Sequence, residues 1–170
     1  TSNLICSFYL RKVLVMIIRQ ANKSDINSIS KVYSVCFTRE TDHEIWISSC
    51  INSFPKSVYY VCTDGKTIQG YILWSVKNGF RANTIVELEQ IGVHPEQAGK
   101  GVGRKLITES FKLFKSHITE LGHEVGSVMV TTSEGNYAEE LYKSTLGVTR
   151  NGMISEYGSG NELILFNKIN

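Results

Sequence analysis

The chain has little excess of either charge. Lys and Arg number 18 and Asp and Glu 16, a formal charge of +2 at pH 7. That balance argues against nucleic acid, and against an anionic membrane surface, as the main partner. Long apolar runs are also missing: none approaches the roughly 20 residues that span a bilayer. The four cysteines, Cys6, Cys36, Cys50 and Cys62, form no CxxC pair, and no His stands at metal-ligand spacing from them, so no metal is expected. They read as reduced, mostly buried thiols of a cytoplasmic protein. Repeats and low-complexity linkers are absent.

What remains is ordinary for one globular domain: 170 residues, 42% hydrophobic and 20% charged. Residues 1–15 stand apart. Arg11 and Lys12 come after apolar residues, the reverse of a signal peptide, and Met16 precedes the first regular pattern. The expectation is an N-terminal extension or expression remnant over 1–15 and one working domain over 16–170.

Hydrophobic spacing predicts the element order. A strand over 16–21 leads to a helix over 23–37, with Ser24 or Asp25 as N-cap and Ile26, Ile29, Val32, Tyr33 and Cys36 at helical spacing. A second helix is expected over 41–51. Strands over 57–62 and 68–76 flank an Asp-Gly turn, and a third covers 84–93. A helix over 103–122 carries Leu106, Ile107, Ser110, Phe111 and Phe114 as one stripe. A strand over 127–132, a helix over 136–147 ending at Gly147, and a hairpin over 152–158 and 162–168 complete a mixed α/β sheet.

The stretch HPEQAGKGVGRKL (94–106) sets Gly99, Gly101 and Gly103 between a strand and a helix. Amides at a helix start lack partners, and the helix dipole favours an anion there, so the loop suits a phosphate or pyrophosphate. Lys100 and Arg104 add positive charge. A Walker loop is excluded because neither Gly-Lys pair has the right spacing or a following Ser or Thr. A dinucleotide loop is excluded because the spacing is G-x-G-x-G and falls late in the chain.

LEQIGVHPEQAGKGVGRKLI (88–107) resembles motif A of the GNAT superfamily, the Gcn5-related N-acetyltransferases, with Val93, His94 and Pro95 as the turn and Gly101 and Gly103 as its glycines. NYAEELYKSTLGV (136–148) resembles that family's motif B. The resemblance spans about residues 16–168. It implies a single-domain GNAT fold, an α/β arrangement with a mostly antiparallel central sheet of about six to seven strands flanked by helices. It further implies acetyl transfer from acetyl-CoA to an amine on a small molecule or peptide. The pyrophosphate would lie on the amides from Gly99 through Lys100, Gly101, Val102 and Gly103 to Arg104. The pantetheine arm would pair with backbone at Ile91 and Val93, and Asn136 would touch it. The family's Arg or Gln is replaced by Ala98, which offers only its backbone N–H; Lys100 and Arg104 could compensate.

An alkylammonium has a pKa near about 10, so an acceptor needs a base at neutral pH. Glu87 and Glu89 lie two apart on one strand and share a face; alternation places Ile91 and Val93 on that face too. Glu87 is the first candidate base and Glu89 the second. Tyr142 matches the motif B tyrosine, which implies the acid that protonates the leaving thiolate. Glu40, Asp42 and Glu44 would suit a cationic acceptor. His43, His117 and His123 read as surface or helix-end residues and His94 as part of the turn. Two other readings stand beside this one: a non-catalytic acyl-CoA-binding module of the same fold, and a nucleotide-dependent enzyme using the glycine loop. The terminal hairpin is a candidate for pairing two copies into a homodimer.

Overall fold

The computed structural model describes residues 15–169. Of the expected extension over 1–15, residues 1–14, Cys6 among them, lie outside these. The elements run β1 (Ile17–Gln20), α1 (Ile26–Cys36), α2 (His43–Asn52), β2 (Ser57–Thr63), β3 (Ile68–Lys77), β4 (Asn83–Val93), α3 (Val102–Glu120), β5 (Glu124–Ser133), α4 (Ala138–Leu146), β6 (Thr149–Tyr157) and β7 (Gly160–Lys168). The sheet has seven strands in the order β1-β2-β3-β4-β5-β7-β6. Every pairing is antiparallel except β4 with β5. No helix among the described residues is long and apolar enough to cross a membrane.

Strand alternation splits the core in two. Tyr60, Cys62, Ile72, Trp74, Val86 and Leu88 face α3 and α4, where Leu106, Ile107, Phe114 and Ile118 meet them. Each of those four helical side chains is fully buried, which contributes roughly 1.5–3 kcal/mol apiece. The one polar residue in that stripe, Ser110, accepts a 2.8 Å hydrogen bond from Trp74 Nε1, so its burial is compensated. Tyr59, Val61, Tyr71 and Leu73 point the other way, against Ile29, Val32 and Tyr33 of α1 and Ile47 of α2. Cys62 is buried and Cys36 and Cys50 half-buried, all as free thiols.

The helix entry after β1 agrees with expectation in position: Asp25 is the N-cap of α1, though its side chain makes no capping bond into that helix. Asn22 accepts from Ser24 N, opening a 3-10 turn over Lys23–Asp25 in a capping box with Asp25. Asp25 instead faces back, taking Arg19 in a two-bonded pair at 2.7 and 2.8 Å and the Asn22 amide at 2.9 Å. β5 is longer than the expected 127–132, because Glu124 and Val125 pair with Asn83 and Thr84.

Candidate active site

β4 is the element around which the site forms. Residues 85–88 pair with β3 on one side and β5 on the other, and Asn83 and Thr84 with β5 alone. The β5 pairing stops at Leu88 with Val130, while β3 continues to Val93. Beyond Leu88 the two parallel strands therefore part, and β4 keeps an open backbone edge. At the same point Leu73 pairs with Gln90 and Trp74 with Leu88, so Glu89 is the extra residue of a β-bulge.

That bulge overturns the expected common face. Glu87 pairs with Ser75 on the α1/α2 side, and Gln90 accepts a 3.0 Å bond from Tyr71 Oη on the same side. Ile91 and Val93 pack against the α3 cluster. One inserted residue shifts the period-two alternation by one place, so the carboxylates and the two apolar side chains occupy opposite faces. Gly92 permits the close approach that holds Tyr71 there: an added Cβ would come within 2.6 Å of its ring.

The two glutamates differ in their partners. Glu87 is buried, and Lys77 Nζ lies 2.8 Å from its carboxylate. Glu89 is exposed and accepts a 2.5 Å bond from Ser75 Oγ. Sequence reasoning missed Lys77 and Ser75. Both lie on the neighbouring strand, and their reach depends on β3–β4 register, for which the sequence offers no local signal. Further out on the same face, Tyr33 donates to Glu40, Asn27 donates to Glu44 at 3.1 Å, and Asp42 accepts from Thr41 at 2.9 Å. The three acids of the α1–α2 region thus already hold neighbours in the chain.

The open edge of β4 runs into the glycine loop. A 3-10 turn over Pro95–Gln97, capped by His94, precedes it. Gly99 and Gly101 both have left-handed backbone, φ 73° and 81°, and a Cβ at either would stand in open space. Glycine is favoured there by backbone conformation, not by crowding. Gly103 sits in the first turn of α3, where a Cβ would lie 3.4 Å from Leu141 of α4. Lys105 N closes that turn on Gly101 O at 3.0 Å. The amides of Gly99, Gly101, Val102, Gly103 and Arg104 have no acceptor among the described residues. Two loop amides expected to be free are occupied: Ala98 N–H donates to Pro95 O and Lys100 N–H to Gln97 O. Ala98 therefore offers neither side chain nor amide. The Lys100 ammonium lies 3.4 Å from Gln97 Oε1, and Arg104 Nη2 lies 3.0 Å from Ser144 Oγ, both at the surface.

On α4, Tyr142 is buried among the α3-side residues, and burial pushes its phenol up to about 12. Neighbouring Tyr137 and Glu162 act in the same direction. Asn136 spends its side-chain oxygen on Ala138 N at 2.9 Å, opening α4, and keeps its Nδ2 for another partner.

A strand edge opened beside its parallel neighbour, ending in a run of unpaired amides at a helix start, suits an extended ligand with an anionic end. The family whose profile matches is described as Acetyltransferase (GNAT) family, over residues 26–148, and the chain belongs to it. No curated protein matches the chain. Among solved structures, Arabidopsis thaliana NAA60 in complex with acetyl-CoA is 18% identical with a TM-score of 0.74, covering 92% of this chain and 99% of that one. The ribosomal-protein-S18-alanine N-acetyltransferase from Escherichia coli is 17% identical with a TM-score of 0.71, covering 92% and 95%. YncA from Salmonella typhimurium with its cofactor acetyl-CoA is 20% identical with a TM-score of 0.65, covering 91% and 94%. At these identities the likeness is one of fold.

Proposed function

We propose that the chain transfers an acetyl group from acetyl-CoA directly to a primary amine on a small molecule or peptide. The observation that carries this reading is the continuity of the open β4 edge with the unpaired amides at the start of α3. The residues fit the cofactor. Backbone at Ile91 and Val93 would take the pantetheine arm as an added strand, with Asn136 Nδ2 available to it. The amides of Gly99, Gly101, Val102, Gly103 and Arg104, with the Lys100 and Arg104 cations, would take the pyrophosphate. When bound, acetyl-CoA supplies the acetyl group as an activated thioester.

The chain's own groups then divide the proton work. Glu89 stands exposed at the parting of β4 and β5 and accepts the proton that the ammonium must lose. Glu87 is less suited, since one carboxylate oxygen already holds Lys77. Tyr142, on the opposite face of the sheet, keeps its proton throughout the neutral range and can release it to a departing sulfur. The gap between the strands lets an acceptor on the α1/α2 side and the arm on the α3 side meet.

Two measurements test this. Acetyl-CoA, but not NADH or ATP, should raise the melting temperature; a ligand at 100 times its Kd adds about 2.7 kcal/mol. A panel of amines should then release free thiol with at least one acceptor. Stabilisation without turnover would leave the acyl-CoA-binding module, and stabilisation by a nucleotide alone would end the transferase reading.

A further inference from the structure

Ser57, Ser75 and Glu89 form a line of hydrogen bonds across three adjacent strands. Ser57 pairs with Ser75 in the β2–β3 register, and Ser75 with Glu87 in the β3–β4 register. On a straight β4, the hydroxyl of Ser75 would face Glu87. Glu87 is instead held by Lys77, and the bulge brings Glu89 within 2.5 Å of Ser75 Oγ. Ser57 Oγ lies 3.0 Å behind Ser75 Oγ. Both serines are buried, at 6% and 2% exposure, whereas Glu89 is open to solvent.

Counting protons fixes the direction of the line. A serine has one hydroxyl proton. Ser75 gives its proton to the Glu89 carboxylate, so in the contact behind it Ser57 must be the donor. The order is Ser57 to Ser75 to Glu89, each bond polarising the next toward the negative end. One carboxylate oxygen is thereby anchored, and the other remains for an incoming ammonium. A glutamate on an exposed bulge would otherwise sample several rotamers.

We propose that Ser75, backed by Ser57, is a positioning residue that fixes the Glu89 carboxylate toward the acceptor. This rests on the reading of Glu89 as the base. In this role Ser75 acts through its bond to Glu89.

The test is a set of variants assayed with acetyl-CoA and an accepted amine, beside a rotamer measurement that needs no turnover. Ser75→Ala should lower kcat about tenfold, the size of one charge-assisted hydrogen bond. The KM for acetyl-CoA should stay within about twofold, because the loop amides are untouched. Ser75→Thr keeps the hydroxyl and should recover most of the rate. Ser57→Ala should cause a smaller loss of the same kind. In a Glu89→Gln background, Ser75→Ala should change kcat by less than about twofold, since the group it positions is gone. Side-chain scalar couplings of isotope-labelled Glu89 should report one rotamer in the wild type and averaging in Ser75→Ala. A wild-type rate in Ser75→Ala, an equal tenfold loss in the Glu89→Gln background, or couplings unchanged between wild type and Ser75→Ala would each overturn the proposal. Absence of turnover with every amine would instead remove the transferase reading, and the couplings would still decide whether Ser75 holds Glu89.

Discussion

Residues 85–88 of β4 are paired on both edges, whereas residues 90–93 are paired only with β3 and Glu89 bulges between them. The carboxylates on either side of that boundary differ accordingly. Glu87, in the clamped half, is buried and tied to Lys77. Glu89, one residue past the last pair with β5, is exposed and held at one oxygen only. The clamped half uses its polar groups to complete the sheet; the open half leaves its polar groups for something else.

The sharpest way to break this comparison is to neutralise each carboxylate in turn. Glu89→Gln should lower kcat/KM at neutral pH by about 10²-fold, the usual weight of base catalysis. Glu87→Gln should cost activity only a few-fold and act chiefly on stability, by leaving Lys77 without its partner. The reverse order in steady-state kinetics, with both variants folded, would return the base role to Glu87.

The second prediction concerns the loop at the far end of the open half. Gly101→Asp puts a carboxylate beside the unpaired amides, and Asp is among the residues that tolerate left-handed backbone. Acetyl-CoA affinity by calorimetry should fall at least about tenfold, near 1.4 kcal/mol. Unchanged affinity would move the cofactor elsewhere.

Third, Tyr142→Phe removes one hydroxyl while the ring keeps its packing. kcat should fall about tenfold, toward the low end for acid catalysis because a thiol leaves with a pKa near about 8.5. With its phenol at about 12, Tyr142 contributes no loss of rate between neutrality and pH 10. An alkaline limb below pH 10 that vanishes in the variant would contradict this.

These outcomes bear on how far the residues disclose the site by themselves. The order of elements is legible because each run of apolar residues carries its own period, and the glycine loop because its composition has few uses. The faces of β4 are not. Alternation from Glu87 to Val93 holds only for an unbroken strand, and the Glu89 insertion is set by how β3 lies alongside, which no residue near 89 signals. The Ala98 amide is hidden for a related reason: whether it is free depends on the turn it closes, here onto Pro95. The Asn22 cap does carry a signal, since Asn-x-x-Asp over 22–25 is a capping-box spacing, but Ser24 and Asp25 are equally good capping residues and stand closer to the apolar stripe.

The smallest effect lies at the sheet's other edge. The Arg19 guanidinium holds the Asp25 carboxyl below its ordinary value, so Asp25 adds stability above about pH 4 and loses it as pH falls through the native value. Asp25→Asn should cost about 1 kcal/mol near pH 7, moderated because Arg19 is partly exposed. The gap to wild type should narrow as pH falls through the lowered native value in denaturant titrations. A gap independent of pH would assign the effect to the lost cap instead.

The bulge at Glu89 also changes how the sheet breathes. Amides bonded into a ladder exchange with solvent only when the ladder opens, while amides on a free edge exchange almost at once. Within residues 89–93 the two kinds alternate along a few ångströms of one strand. The open ones are the groups a bound pantetheine arm would cover, so β4 carries its own internal reference for occupancy: neighbouring amides, one indifferent to the ligand and the next slowed by it.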